Sequence, residues 1–206
     1  MAERIRAALG RKHQARDAAY PLSRDVVRNS ANAIRAVHRG EFETARDLLA
    51  KARGILADIR TAIADHVDLN YTGYVDMAEK EYAEASITYA LASGQPLPEP
   101  ETLGVAYTAW LNGLGEAAGE MRRYVLDALR KDNVARCEEI LSAMDDIYNT
   151  LVTIDFPDAL TGGLRRTTDM VRGVLERTRG DLTMALVQSR LVDRLAQDGQ
   201  RESTDG

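Results

Sequence analysis

The stretch EFETARDLLAKARGILADIRTAIADHVDL, residues 41–69, decides the fold class. Its apolar residues fall at Phe42, Ala45, Leu48, Leu49, Ala52, Ile55, Leu56, Ile59 and Ile63, the three-and-four spacing of one face of an α-helix, and no proline interrupts them. The spacing predicts a helix from Glu41 to about Leu69, broken by Asn70 to Gly73. Upstream, a helix is expected from about Glu3 to Tyr20. Pro21 must kink or restart it, because proline has no N–H to donate and its ring crowds the preceding turn. Ser23 can cap a continuation in which Val26, Val27, Ala31, Ile34 and Val37 keep helical spacing, with Gly40 ending it near His38.

Downstream, the next helix runs to about Ser93. The segment GQPLPEPE, residues 94–101, carries three prolines and cannot be helical. Residues 101–131 read as helix, Asn133 caps a further one to about Val152, and Asp155-Phe156-Pro157-Asp158 is a loop before a last helix ending near Gln197. The tail, about 198–206, is expected to be disordered. Aromatic residues make up only 5% of the chain, and no repeat or low-complexity tract is present. The expected fold is all-α: one domain over 1–206, an elongated antiparallel bundle of about seven helices.

Cys137 stands alone, so no internal disulfide is possible, and no stretch approaches the roughly 18 apolar residues of a membrane span. The opening MAERIRAALGRKHQARD lacks the apolar core of a signal peptide. A cytoplasmic protein without a membrane partner is expected. The net charge of −5 is unevenly spread. Residues 1–39 hold nine Lys or Arg against three acids, and residues 40–160 hold ten against 22. The first segment can meet a phosphate backbone while the middle can hold a cation; a solvated basic helix is the plain alternative.

Two pairs of carboxylates sit amid small or apolar residues. In KEYAEA, Glu81 and Glu84 are three apart; in GLGEAAGEMRR, Glu116 and Glu120 are four apart, so each pair shares a helix face. Like charges at this spacing repel, and a bound cation removes that cost. Gly113, Gly115 and Gly119 surround Glu116, each costing about 1 kcal/mol relative to Ala in a helix. Something must approach that face closely, either a partner helix or a substrate backbone. Surface acids beside a small-residue seam remain the alternative.

Carboxylate oxygens without His or Cys suit Mg²⁺, Mn²⁺ or Ca²⁺, and the Glu-x-x-His spacing of di-iron bundles is absent. Hard cations on carboxylates are the usual apparatus of phosphodiester cleavage. No phosphate-binding glycine loop, CxxC pair or GxSxG elbow is present. His13, His38 and His66 are scattered and read as surface or boundary residues. Arg60 and His66 have a spacing reminiscent of metal-independent HEPN ribonucleases. Tyr71, Tyr74, Tyr82 and Tyr89 either stack on bases or fill core.

Three segments in order resemble the Trax branch of the translin family: AYPLSRDVVRNSANAIRAVHRG (19–40), KEYAEA (80–85) and WLNGLGEAAGEMRRYVLDAL (110–129). The resemblance implies an all-α subunit of a hollow octamer that holds single-stranded RNA, or single-stranded DNA, and cleaves RNA with Mg²⁺. It also implies that Glu81, Glu84, Glu116 and Glu120 are catalytic and bind the metal. Glu116 falls where the family has aspartate, keeping the charge but lengthening the arm. The phosphate contacts expected with it are Arg16, Arg24, Arg28, Arg35, Arg39, Arg122 and Arg123, with surface salt bridges as the alternative for each. The resemblance further implies a self-sufficient homo-oligomer; a multi-subunit assembly is also expected because long helices leave more apolar face than one subunit can easily cover. The arginine-rich last helix, LTGGLRRTTDMVRGVLERTRGD, serves either subunit contacts or RNA.

Overall fold

The computed structural model describes residues 1–204, with the backbone alone for Asp193 and for residues 196–204. Helix α1, Ala2–His38, is one helix through Pro21. The expected restart does not occur: the Ser23 hydroxyl donates to the Tyr20 carbonyl at 2.7 Å instead of capping a new start. Pro21 lies on the exposed side, while Ala19, Ser23, Val26, Ser30, Ala33, Ile34 and Val37 continue one buried face across it. Burial of that face overrides the local preference of proline.

Helix α2, Phe42–Ala62, packs antiparallel on α1 and buries Ala45, Leu49, Ala52, Leu56 and Ile59. It ends seven residues before the expected Leu69. Ile63 departs from helical geometry at φ −107°, and a 3-10 turn, Val67–Tyr71, delivers Leu69 to the core while Asp68 pairs with Lys12. Helix α3, Gly73–Ser93, closes on Gly94 at φ +72°.

The helix expected over 101–131 is divided. Helix α4, Pro100–Leu103, stops at Gly104 (φ +68°), and α5 runs from Tyr107 to Leu129. The break is held from outside the segment: the Arg60 guanidinium donates to the Gly104 carbonyl and the Ala106 N–H donates to Glu79 at 2.9 Å. Helix α6, Val134–Val152, starts as expected, with the Asn133 side chain accepting from the Arg136 N–H at 3.3 Å. A single turn, α7 (Asp158–Thr161), precedes α8, Leu164–Thr204. Helix α8 continues past the expected end near Gln197 to Thr204, and the tail expected to be disordered falls on positions whose side chains, and at 205 and 206 whose backbone, lie outside the described residues.

All regular structure among the described residues is helical. Helix α1 packs on α2 and α3, α3 on α5, and α5 on α6 and α8, so α3 and α5 occupy the middle. Ile87 of α3 and Leu114, Ala117 and Ala118 of α5 form one buried cluster with Ile147 and Leu151 of α6 and Leu164 and Val171 of α8. Beyond Leu182, α8 exposes Met184, Val187, Leu191 and Leu195 at helical spacing, and the start of α1 exposes Ile5 and Leu9. Among the described residues no helix is long and apolar enough to cross a membrane.

Candidate metal centre

Every residue of α3 from Tyr82 to Thr88 is buried, because α1, α2 and α5 enclose the helix. Glu84 is therefore a carboxylate in the middle of the bundle, 8% exposed. Helix α5 reaches it through Gly113. A Cβ there would lie 2.9 Å from both the Glu84 nitrogen and the Lys80 carbonyl oxygen. That close crossing brings Glu116, about one turn further along α5, over the Lys80–Glu84 turn. One carboxylate oxygen from each of Glu81, Glu84 and Glu116 comes within 4.8 Å of the others.

Burial pushes the Glu84 carboxyl up to about 8, and the charges of Glu116, Glu81 and Glu120 push the same way; Lys80 opposes them only in part. The cluster thus carries more negative charge than its surroundings neutralise. Lys80 spans it, with Nζ at 2.7 Å from both oxygens of Glu116 and 3.5 Å from Glu81. Burial would lower the Lys80 ammonium, but its hydrogen bond to Glu116 and the charges of Glu116, Glu81 and Glu84 hold it above its ordinary value.

Glu120 meets a different partner. His38 Nε2, at the end of α1, lies 2.5 Å from its carboxylate, and the His38 side chain is only 3% exposed. That hydrogen bond outweighs burial and holds the Glu120 carboxyl below its usual range, helped by the charges of His38 and Arg123. His38 Nδ1 is buried without a hydrogen-bond partner among the described residues.

Of the four glutamates, the structure gathers Glu81, Glu84 and Glu116, and Glu116 is the one with the poorest family match. Glu120 stands beside them, tied to His38. Two residues of the site escaped the sequence reading. Lys80 was passed over between its acidic neighbours, and His38, read as a surface or boundary residue, is inside; its signal was its place four residues after buried Ile34. Arg60 is committed to Glu79, at 3.1 Å, and to Gly104, and His66 is a half-buried residue preceding the 3-10 turn.

Arg24, Arg28 and Arg35 of α1 and Arg39, which caps its end, are exposed and fall within about 60° of one another around the helix axis. Arg28 pairs with Asp25 at 2.9 Å, Arg35 with Asn32 at 2.7 Å and Arg39 with Glu41 at 2.7 Å. Arg16 lies off that stripe, 5.4 Å over the Tyr20 ring. Arg122 turns to α8 and binds Asp181 at 2.7 Å, whereas Arg123 is exposed near Glu120. Tyr82 is buried, Tyr74 packs on Tyr20, Tyr89 packs on Phe42, and Tyr71 is exposed. Gly113 and Gly115 are explained by helix contacts, with α3 and with Thr167 of α8, but nothing lies within 4 Å of a Cβ built on Gly119.

The three converging carboxylates could hold a metal ion. Their donors are all oxygen, one is buried, and their charge is only partly neutralised, which fits a hard divalent cation. No protein-family model matches the chain. An uncharacterised protein of Methanocaldococcus jannaschii is 28% identical over 188 residues, covering 91% of this chain and 83% of the relative. Among solved structures, AfC3PO in a complex with duplex RNA is similar at TM-score 0.85 and 31% identity, covering 91% of this chain and 97% of that one. A second structure of AfC3PO gives TM-score 0.83 at the same identity and coverage. Apo-NeC3PO, at 18% identity and TM-score 0.80 over 89% of this chain and 96% of its own, shares the fold.

Proposed function

This chain belongs to the translin family, and from that premise we propose that it is a divalent-metal-dependent endoribonuclease working as a cytoplasmic homo-oligomer, an octameric shell. The observation that carries the reading is the convergence of Glu81, Glu84 and Glu116 oxygens within 4.8 Å on two helices. Its context is kinship with a protein solved with duplex RNA.

Mg²⁺ or Mn²⁺, when bound, polarises a phosphoryl oxygen and lowers the pKa of a bound water. Glu81 and Glu116 would supply half-buried oxygens to such an ion and Glu84 a buried one, which it would have to offer as the deprotonated carboxylate. Glu120, kept charged by His38, accepts a hydrogen bond from the attacking water. The α1 stripe of Arg24, Arg28, Arg35 and Arg39 holds phosphates, with Arg123 near the acids and Arg16 off to one side of the stripe; Arg122 steadies α5 on α8. Single-stranded RNA is the cleaved form, since a phosphate reaching a site this recessed needs a strand free to bend, and single-stranded DNA fits the same stripe. The exposed apolar rows of α8 and α1 call for cover by further copies of the chain.

One observation favours a second reading, a non-catalytic nucleic-acid-binding protein: Lys80 already neutralises part of the cluster. Labelled single-stranded and duplex RNA incubated with pure protein, in Mg²⁺ and in chelator, separates the two. Cleavage only in Mg²⁺ supports the nuclease, retention without cleavage the second reading. Cleavage that survives chelation would exclude this carboxylate site as its source.

A further inference from the structure

We propose that Lys80 is a displaceable counter-cation of the carboxylate cluster: it holds Glu116 and Glu81 together when no divalent ion is bound, and it lowers the affinity with which one enters. The inference rests on the metal-site reading above.

The geometry points to this role. Lys80 and Glu84 are four apart on α3, the spacing of an ordinary helix-surface ion pair. The ammonium crosses instead to α5 and takes both oxygens of Glu116 at 2.7 Å, while standing 3.5 Å from Glu81. It therefore uses carboxylates of the trio whose oxygens converge. His38 is engaged with Glu120, which leaves Lys80 as the cationic side chain shared by Glu81, Glu84 and Glu116 among the described residues. A hard divalent ion needs those oxygens at about 2.0–2.1 Å for Mg²⁺ and repels an ammonium bonded to the same group. The two cations compete for Glu116. The Lys80 side chain is 21% exposed, so its long stem has a route outward when the ion arrives.

The test measures Mn²⁺ binding, by the loss of the free-ion paramagnetic resonance signal, together with melting temperature in chelator and in Mn²⁺. Lys80→Met and Lys80→Gln remove the charge; Lys80→Arg keeps it. Both neutral variants should bind Mn²⁺ at least tenfold more tightly than wild type, melt lower in chelator and gain more on adding Mn²⁺. The Arg variant should keep wild-type affinity. Neutral variants that unfold in chelator and are restored by Mn²⁺ give the same support, whereas variants that stay unfolded in Mn²⁺ make Lys80 structural and overturn it. Wild type binding Mn²⁺ with neutral variants no tighter overturns this inference alone. Failure of every protein to bind at millimolar Mn²⁺ overturns the metal-site reading as well.

Discussion

His38 and Glu120 meet at 2.5 Å between the end of α1 and the middle of α5. The contact gives Glu120 a partner of its own and ties the basic helix to the acidic one. Because the folded carboxyl lies below its ordinary value, Glu120 contributes stability that is present above the unfolded pKa and lost as pH falls through the folded one. His38→Ala should cost about 1–3 kcal/mol near neutrality, as a half-buried carboxylate loses its partner. It should also flatten the loss of stability below about pH 4.3, the unfolded Glu value. Melting curves of the two proteins from pH 3 to 7 check both effects, and parallel profiles would show the contact to be idle.

Glu84 has the opposite sign. With its carboxyl raised to about 8, the folded state keeps a proton that the unfolded chain releases near pH 4.3. Stability from this group is full below the unfolded pKa and declines as pH rises towards 8. The protein in chelator should therefore melt progressively lower from about pH 5 to 8. Glu84→Gln should remove much of that slope and raise the melting temperature at pH 8.

The three glycines of α5 separate packing from approach. Gly113→Ala drives a Cβ against the Glu84 nitrogen and Lys80 carbonyl oxygen at 2.9 Å, and Gly115→Ala drives one into Thr167. Each should destabilise by about 1–3 kcal/mol, as overpacking does. Gly119→Ala meets nothing within 4 Å and should stabilise the folded chain by up to about 1 kcal/mol through helix propensity. Denaturant midpoints of the three variants give the comparison.

The arginine stripe is read by salt. Single strands contribute a slope of about −0.7 per neutralised phosphate, so Arg24→Ala, Arg28→Ala and Arg35→Ala together should make the log–log salt dependence of RNA binding shallower by about 2. The check is RNA titration at several salt concentrations on assemblies shown intact by light scattering. An unchanged slope would remove α1 from the RNA path.

The fold was legible in the sequence wherever one buried face recurs at helical spacing. Phe42 to Ile63 is one such run, and Asn133 capped its helix as read. What escaped was decided by contacts across the bundle. Pro21 is carried through α1 because burial on both sides of it outweighs its local cost, and Gly104 breaks a promising helix because Arg60 and Glu79 bind the backbone there. Within the site, the glutamates stood out as like charges at close spacing. Lys80 and His38 did not, since a lone lysine or histidine acquires meaning only from the helix it faces.

The most direct test of the carboxylate centre replaces Glu81, Glu84 and Glu116 singly with Gln and measures RNA cleavage and RNA retention in saturating Mg²⁺ on the same preparations. Each variant should keep its fold and its hold on RNA while cleavage falls at least about a hundredfold, roughly 2.7 kcal/mol of transition-state stabilisation. Glu120→Gln, already set apart by His38, should lose less. Wild-type cutting by all three trio variants would contradict the centre, and loss of cutting together with loss of the fold would make these glutamates structural.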